Sequence, residues 1–552
     1  MSFLLIILVL LPIVGAVLCA LLPSTPSNPS TGVRGGGPAR VLALVVALAT
    51  LAVGLVLAGR MDLGNAAAEV SGSGGVSLEQ LQKTVQITHT IEMLSPAALS
   101  GFSFKLGLDT VSLWMVLLTG LLFPLTILAS FGFVRERENA YYAWMLLLLG
   151  SILGVFLARD VLLFYVFFEL TLVPSFFLIG GWGGNERRIA AMKFVVYTFA
   201  GSVLMLAGLI YVGLQAGTFD LILFAQAAQQ IATGSNTSSL ILLALLAGFA
   251  VKAAVFPLHS WLVGSYTEAP APVAAILSGV LAKLGTYGFI RLVIPCGMVN
   301  SGLADNINHP YIQTGLAVLA TLGILYGALL AYHQTDAKRV LAFSSLSHMG
   351  LIVLALLSVS LVGHQGGFLY MVNHGISTGA LFLMVGMLEQ RLSSRNLTHI
   401  SGLGKTMPVF SFFFVLFAMS SIALPGTNGF ISDFLCLFAA FNSKTYSGIL
   451  GVLAAGVVVL GAVYMLTLVA KLLFGEFKVP EGVEPAQASD LNTREVTLLL
   501  PLAVLVIVLG FAPGIILDSV KLPLELSISQ IEQHSEEVTS TFSPAQLTPD
   551  RP

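Results

Sequence analysis

Two lysines, Lys252 and Lys283, and a glutamate, Glu169, stand inside long apolar stretches of the chain. Burying an ammonium or a carboxylate in hydrocarbon is costly, so such groups are rare and face a partner or a wet path. Desolvation disfavours the charged form of any such group, which brings proton exchange within reach of neutral pH. The chemistry open to these residue types is therefore movement of protons or cations. Glu169 lies in Tyr165-Val-Phe-Phe-Glu-Leu-Thr-Leu-Val-Pro174, Lys252 in Gly248-Phe-Ala-Val-Lys-Ala-Ala-Val-Phe-Pro257, and Lys283 in Ser278-Gly-Val-Leu-Ala-Lys-Leu-Gly-Thr-Tyr287. The plain alternatives are a carboxyl capped by a nearby hydroxyl such as Thr171, and lysines that snorkel to an interface. Snorkelling fits Lys283 least, because it sits near the middle of its apolar run.

Further along stand His348, in Ser344-Ser-Leu-Ser-His-Met-Gly350, and His374, in Asn373-His-Gly-Ile-Ser377. Histidine suits a proton relay because its ordinary pKa lies near 6.5. A lone buried histidine is equally a hydrogen-bonded packing residue. Asp433, in Gly429-Phe-Ile-Ser-Asp-Phe-Leu435, follows the helix breaker Pro425-Gly426, and a polar group at a helix re-entry is its alternative. Lys193 closely follows Arg187 and Arg188, so snorkelling at a membrane edge competes with a relay role. Arg291, Lys471, Glu389 and Asp109 fall at the ends of apolar runs and read as interface groups. Cys19, Cys296 and Cys436 are isolated, with spacing that fits neither a disulfide framework nor a metal or iron–sulfur site.

These residues need helices to hold them. Of 552 residues, 56% are hydrophobic and 9% charged, far fewer charges than the quarter or so found in soluble domains. Apolar windows of about twenty residues recur, the mark of an all-α polytopic membrane protein. About fourteen spans, each roughly long enough to cross the bilayer, centre near residues 12, 49, 121, 149, 170, 204, 251, 280, 322, 349, 377, 424, 461 and 506. Phe3 to Leu22 lacks a basic leader and is too long for a signal h-region, so it reads as a retained helix. Arg40, Arg135, Arg137, Arg187, Arg188, Lys338, Arg339, Arg391, Arg395 and Lys405 fall in loops from an odd span to the next even one. The positive-inside rule places those loops in the cytoplasm and both termini on the opposite side.

Pro257 and Pro425-Gly426 interrupt spans five positions apart in helix order, a pointer to an inverted-repeat transporter. The expected organisation is helices 1–3 over residues 1–137, with a polar insert near 60–108 that reads as a loop. A first repeat follows over 138–294 and a second over 311–476. A last helix covers 495–518 and a polar, poorly ordered tail covers 519–552. No dinucleotide fingerprint, cysteine cluster or paired-histidine haem motif appears, so no redox centre is expected within the chain.

The motifs around these residues resemble one family closely. They are Phe167-Phe-Glu-Leu-Thr-Leu-Val-Pro174, Ala190-Ala-Met-Lys-Phe194, Lys252-Ala-Ala-Val-Phe-Pro-Leu-His-Ser-Trp-Leu262, Glu268-Ala-Pro270, Gly279-Val-Leu-Ala-Lys-Leu-Gly-Thr-Tyr-Gly288, Ser344-Ser-Leu-Ser-His-Met-Gly350 and Ala423-Leu-Pro-Gly-Thr-Asn-Gly-Phe430. Over about residues 100 to 515 the chain resembles the antiporter-like membrane subunits of proton-pumping NADH:quinone oxidoreductase, respiratory complex I. Within them it is most similar to the chain 4 type, also called subunit M, and to its counterpart in the photosynthetic form of the complex.

The resemblance implies fourteen helices, two inverted five-helix repeats, and broken helices 7 and 12. It implies that Glu169 pairs with Lys252, that Lys283 is the central relay, that His348 and His374 lead to the second half, and that Asp433 stands on broken helix 12. It also implies neighbouring membrane subunits as partners, with NADH, flavin, iron–sulfur clusters and quinone in those partners. The implied location is a bacterial inner membrane or a thylakoid. Two departures stand out: Asp433 replaces the usual glutamate, and Tyr266 replaces a usual histidine in Trp261-Leu-Val-Gly-Ser-Tyr266. A multi-subunit sodium/proton antiporter subunit or a membrane-bound hydrogenase subunit shares the same core, and a scaffold whose polar residues merely glue helices is a further alternative.

Overall fold

The computed structural model describes residues 2–23, 37–61, 86–91, 103–134, 136–232, 236–296, 309–484 and 488–541. Arg34, Arg135, most of the 60–108 insert and the last eleven residues of the tail lie outside them. Twelve of the described helices are long and apolar enough to cross a membrane. They run from Phe3–Leu21 and Pro38–Ala58 through Thr110–Ser130, Glu138–Leu157, Val161–Trp182 and Arg187–Ala216 to Ala271–Val293 in the first half. Tyr311–His333, Ala337–Leu357, Leu361–Leu392, Gly448–Leu473 and Thr493–Phe511 make up the second. Between them lie shorter apolar helices, Leu240–Lys252, Pro408–Ser421 and Asn428–Phe441. A helix satisfies its own backbone polar groups, which is why a chain this apolar folds into helices throughout.

Burial sorts the helices. Ala271–Val293, Ala337–Leu357 and Leu361–Leu392 are almost wholly buried within the chain, whereas Phe3–Leu21, Pro38–Ala58 and Gly448–Leu473 keep apolar side chains on the outside. The three interior helices carry Lys283, His348 and His374. Polar residues thus gather where protein surrounds them, and the outer surface stays apolar, as a membrane protein requires.

Two helices are interrupted where proline predicts it. Asn236–Lys252 stops at Lys252, the chain turns, and Ser260–Glu268 resumes. Trp261 Nε1 donates to the Val251 carbonyl at 2.8 Å, meeting a backbone acceptor that the break sets free. Pro408–Ser421 and Asn428–Phe441 are separated by a turn in which Ala423 and Gly426 take positive φ values of 59° and 90°. There the Asn373 amide, from a neighbouring helix, donates to the Asn428 carbonyl at 2.6 Å. Side chains replace the lost helical partners, the condition under which broken helices survive in membranes.

Three features differ from the sequence expectation. Ile87–Ile91 and Phe104–Leu108 form an antiparallel pair, with Ile87 opposite Leu108, in the 60–108 insert that reads as a loop. A short strand pair carries too little apolar periodicity to stand out beside long spans. The last helix ends at Phe511, and a second helix, Gly514–Thr541, runs through the segment expected to be an unordered tail. Ile516, Val520 and Leu524 recur every fourth residue and are fully buried, which gives this helix a packing face. The polar composition around them hides that stripe. Finally, Ala271–Val293 is not a regular α-helix. Leu277–Leu281 and Phe289–Val293 are π-helical turns that flank the α-turns beginning at Lys283.

That irregular helix packs hard against the first break. A Cβ on Gly285 would lie 2.4 Å from the Ala253 nitrogen, and one on Gly288 would lie 2.1 Å from the Phe249 ring. Gly285 therefore sets how closely the Lys283 helix approaches the turn after Lys252. Gly285→Ala is expected to cost about 1–3 kcal/mol by overpacking, read as a lower thermal midpoint of the purified protein.

Candidate functional site: a buried polar axis

The first part of the axis surrounds Lys252. This residue is 1% exposed and ends its helix at the break. Its Nζ donates to Thr171 Oγ1 at 3.0 Å and sits 4.6 Å from the centre of the Phe168 ring. Thr171 lies at the junction of Val161–Leu170 and Leu172–Trp182, and its own hydroxyl donates to the Phe168 carbonyl at 2.7 Å. Glu169 is nearby but makes no ion pair with Lys252, and its Oε1 is buried without a hydrogen-bond partner. The pairing implied for these residues is therefore not a contact here, because the Thr171 hydroxyl occupies the lysine instead.

The second part begins at Lys283, which is fully buried. Its Nζ donates to the Ser278 carbonyl, one of the groups on the π-turn, and lies 2.6 Å from His374 Nδ1. A π-turn shifts the side chains that follow it and is frequent at functional sites. His374 Nε2 is buried without a partner. The His374 and His348 rings are 5.5 Å apart, centre to centre. His348 Nδ1 is hydrogen-bonded to the Tyr370 hydroxyl, and its Nε2 lies 3.2 Å from the Tyr464 hydroxyl. Tyr464 in turn meets Ser344 Oγ at 2.9 Å. The Tyr370 hydroxyl also interacts with the carboxyl of Asp433, which is 6% exposed.

A small polar cavity borders this cluster, lined by His348, Tyr370, Asn373, His374, Ser377 and Ser420 among others. It has room for about one water molecule. Ser377 and Ser420 meet at 2.5 Å, and Ser420 donates to Asn428 Oδ1 at 2.5 Å, so the rim is tied to the second helix break.

Of the residues singled out from sequence, Lys283, His374, His348 and Asp433 thus form one connected group, with Tyr370 joining the last two. Lys252 and Glu169 form a separate group at the first break, and no hydrogen bond joins Lys252 to Lys283. Lys193 joins neither, since it is exposed, with its Nζ 6.0 Å from the Tyr197 ring centre. Tyr266 is buried and donates to the Leu277 carbonyl at 3.0 Å, so the residue in the usual histidine's place braces the π-turn below Lys283. Tyr370 and Tyr464 are not singled out by sequence reasoning. Tyr370 carries a usable signal, because it precedes His374 by four residues and so shares its helix face.

Asp109 and Arg291 are not interface groups. Asp109 is 1% exposed and caps Thr110–Ser130 through a hydrogen bond from the Ser112 amide at 2.8 Å. Arg291 bonds its Oδ1, and Arg159 Nη2 stands 2.9 Å from its Oδ2, at ion-pair distance though not aligned as a hydrogen bond. Burial opposes ionisation of Asp109, but the two guanidiniums and the capping bonds outweigh it and hold the carboxyl well below the usual range. A third charged group ties the halves of the chain together. Arg395 reaches Asp336 at 2.6 Å and Glu268 at 3.6 Å, and buried Lys338 meets Glu389 at 2.8 Å.

Comparison with known proteins places the chain in a family. Residues 158–460 match the family model described as NADH:quinone oxidoreductase/Mrp antiporter, TM. Residues 79–157 match the one described as NADH-ubiquinone oxidoreductase chain 4, amino terminus, so the later part of the insert does belong to the family pattern. NADH-ubiquinone oxidoreductase chain 4 of Marchantia polymorpha is 37% identical over 438 residues, 79% of this chain and 84% of that one. NADH-quinone oxidoreductase subunit M of Rhodobacter capsulatus is 37% identical over 432 residues, 76% of this chain and 81% of that one. A chain of respiratory complex I from Thermus thermophilus superposes with a TM-score of 0.77 at 28% identity, covering 96% of this chain and 99% of its own. A chain of the Mrp complex from Dietzia shares the fold, with a TM-score of 0.75, 22% identity and coverage of 98% and 99%. The chain belongs to the NADH:quinone oxidoreductase/Mrp antiporter membrane family, with the chain 4 or subunit M type as its kin.

Proposed function

We propose that this chain is a proton-translocating membrane subunit of a quinone oxidoreductase complex, moving protons while partner subunits carry out the redox chemistry. The observation that carries the reading is the connected, buried group Lys283–His374–His348–Tyr370–Asp433, set among helices otherwise filled with apolar side chains. In this reading NADH, flavin, iron–sulfur clusters and quinone belong to those partners, and neighbouring antiporter-like subunits flank the chain. Each interrupted helix pair counts as one crossing, which gives fourteen spans in two inverted five-helix repeats. The basic loops lie on the cytoplasmic side, and the membrane is a bacterial inner membrane or a thylakoid.

The relay works by charge. An approaching carboxylate favours protonated lysine, and its withdrawal removes that support. Glu169, with a free buried oxygen, is the mobile partner, and Thr171 holds Lys252 when the two are apart. A proton held on Lys252 repels one on Lys283, because a low-dielectric interior screens charge weakly. Lys283 then passes its proton to His374 Nδ1, its hydrogen-bonded neighbour. Quinone reduction in a partner drives the switch.

Glu169→Gln removes the charge and keeps the shape. The expected outcome is an assembled complex whose proton pumping in liposomes falls roughly tenfold or more, the scale of losing a positioned acid–base group. Unchanged pumping in that variant would favour a scaffold role for these polar residues.

A further inference from the structure

We propose that the Tyr370 hydroxyl carries the proton between the histidine pair and Asp433. The proposal rests on the relay reading above and adds the residue that completes its second half.

Both ring nitrogens of His348 are engaged by phenols, Nδ1 by Tyr370 and Nε2 by Tyr464 at 3.2 Å. A proton therefore enters or leaves this histidine through one of the two hydroxyls. Tyr464 leads back to Ser344 Oγ, 2.9 Å away on the helix of His348 itself. Tyr370 leads onward. Among the described residues it is the side chain that hydrogen-bonds the Asp433 carboxyl, whose Oδ1 has no partner. Tyr370 also lines the cavity that His374 and His348 share, and its ring centre is 6.4 Å from that of His374. Asp433 is one methylene shorter than a glutamate, and the long phenol spans the distance that its carboxyl does not.

The step is a concerted handover. Imidazolium Nδ1–H of His348 gives its proton to the Tyr370 oxygen as the Tyr370 O–H gives its own to the Asp433 carboxylate. One N–H and one O–H bond break, and two O–H bonds form, one on Tyr370 and one on Asp433. The products are neutral imidazole, neutral phenol and a protonated Asp433, with no electrons transferred. A free tyrosinate, disfavoured by the ordinary phenol pKa near 10, is never formed. Rotation of the hydroxyl resets the link once Asp433 has released its proton.

The test compares Tyr370→Phe, Tyr464→Phe and Lys283→Ala in the assembled complex, reading proton uptake per quinone reduced in liposomes. Tyr370→Phe is expected to lower it roughly tenfold or more, and Tyr464→Phe to leave it within about twofold, because Tyr464 orients His348 but lies off the route. Normal uptake in Tyr370→Phe, with Lys283→Ala inactive, overturns the proposal and leaves the relay standing. Normal uptake in Lys283→Ala overturns the relay and the proposal with it. Equal losses in both tyrosine variants also overturn the proposal, since the hydroxyls would then serve only to orient His348. Difluorotyrosine at position 370 gives a readout that keeps the side chain's size. A more acidic phenol is expected to move the alkaline limb of the uptake profile to lower pH, and an unmoved limb overturns the proposal.

Discussion

Replacing Lys283 by alanine is expected to leave an assembled complex with proton transfer through this chain lowered roughly a hundredfold or more, the upper range for a missing acid–base group. Lys283 is fully buried and contacts His374 Nδ1 directly, so its loss removes the donor that feeds the histidines. The fold is expected to survive for an energetic reason. Taking a lone ammonium out of water costs several kcal/mol per ion, and alanine removes that cost together with the hydrogen bond to Ser278 and some packing. Lys283→Met, which keeps the volume, separates the effects. It should assemble as well as the parent and transfer protons as poorly as Lys283→Ala. Wild-type transfer in the methionine variant would remove Lys283 from the pathway.

Asp109→Ala is expected to be the most damaging change to stability. The residue is 1% exposed and stands between Arg159 and Arg291, whose side chains are 6% and 11% exposed. Removing it leaves two guanidiniums with no compensating charge and strips the cap from Thr110–Ser130. Breaking a buried pair in this way costs about 3–5 kcal/mol. The folded-state carboxyl titrates well below the unfolded value, so its contribution is present above the unfolded pKa and lost only as pH falls toward the folded one. The expected result at neutral pH is poor assembly or a sharply lower thermal midpoint. A triple variant that also converts Arg159 and Arg291 to Met should recover much of the loss, since apolar replacement of a whole buried ion cluster is often neutral. A single Asp109→Ala protein as stable as the parent would contradict the account.

These two predictions differ in how far the sequence reaches. Lys252, Lys283 and Asp433 are legible because a charge in an apolar run has a cost that needs a reason, and both helix breaks are legible because proline cannot continue a helix. Lys193 shows the limit of that logic, since a residue near the end of an apolar run faces outward as readily as inward. Asp109 and Arg291 mislead for the complementary reason. Each stands at a helix end, where an interface is the default, and their pairing across 182 positions is a fact of packing alone. Tyr370 is invisible as a relay group because a phenol in a span ordinarily reads as packing. The π-turns around Lys283 leave no composition signal, as they arise from the fit of Gly285 and Gly288 against Phe249 and Ala253. The Gly514–Thr541 helix hides its buried face among polar residues.

The central claim is that protons cross through the buried group headed by Lys283. The most direct measurement is the number of protons taken up per quinone reduced, in liposomes holding the complex with either the parent chain or Lys283→Ala. The account predicts a lower ratio, or turnover stalled together with pumping, in a variant that still assembles. An unchanged ratio at unchanged turnover would contradict it.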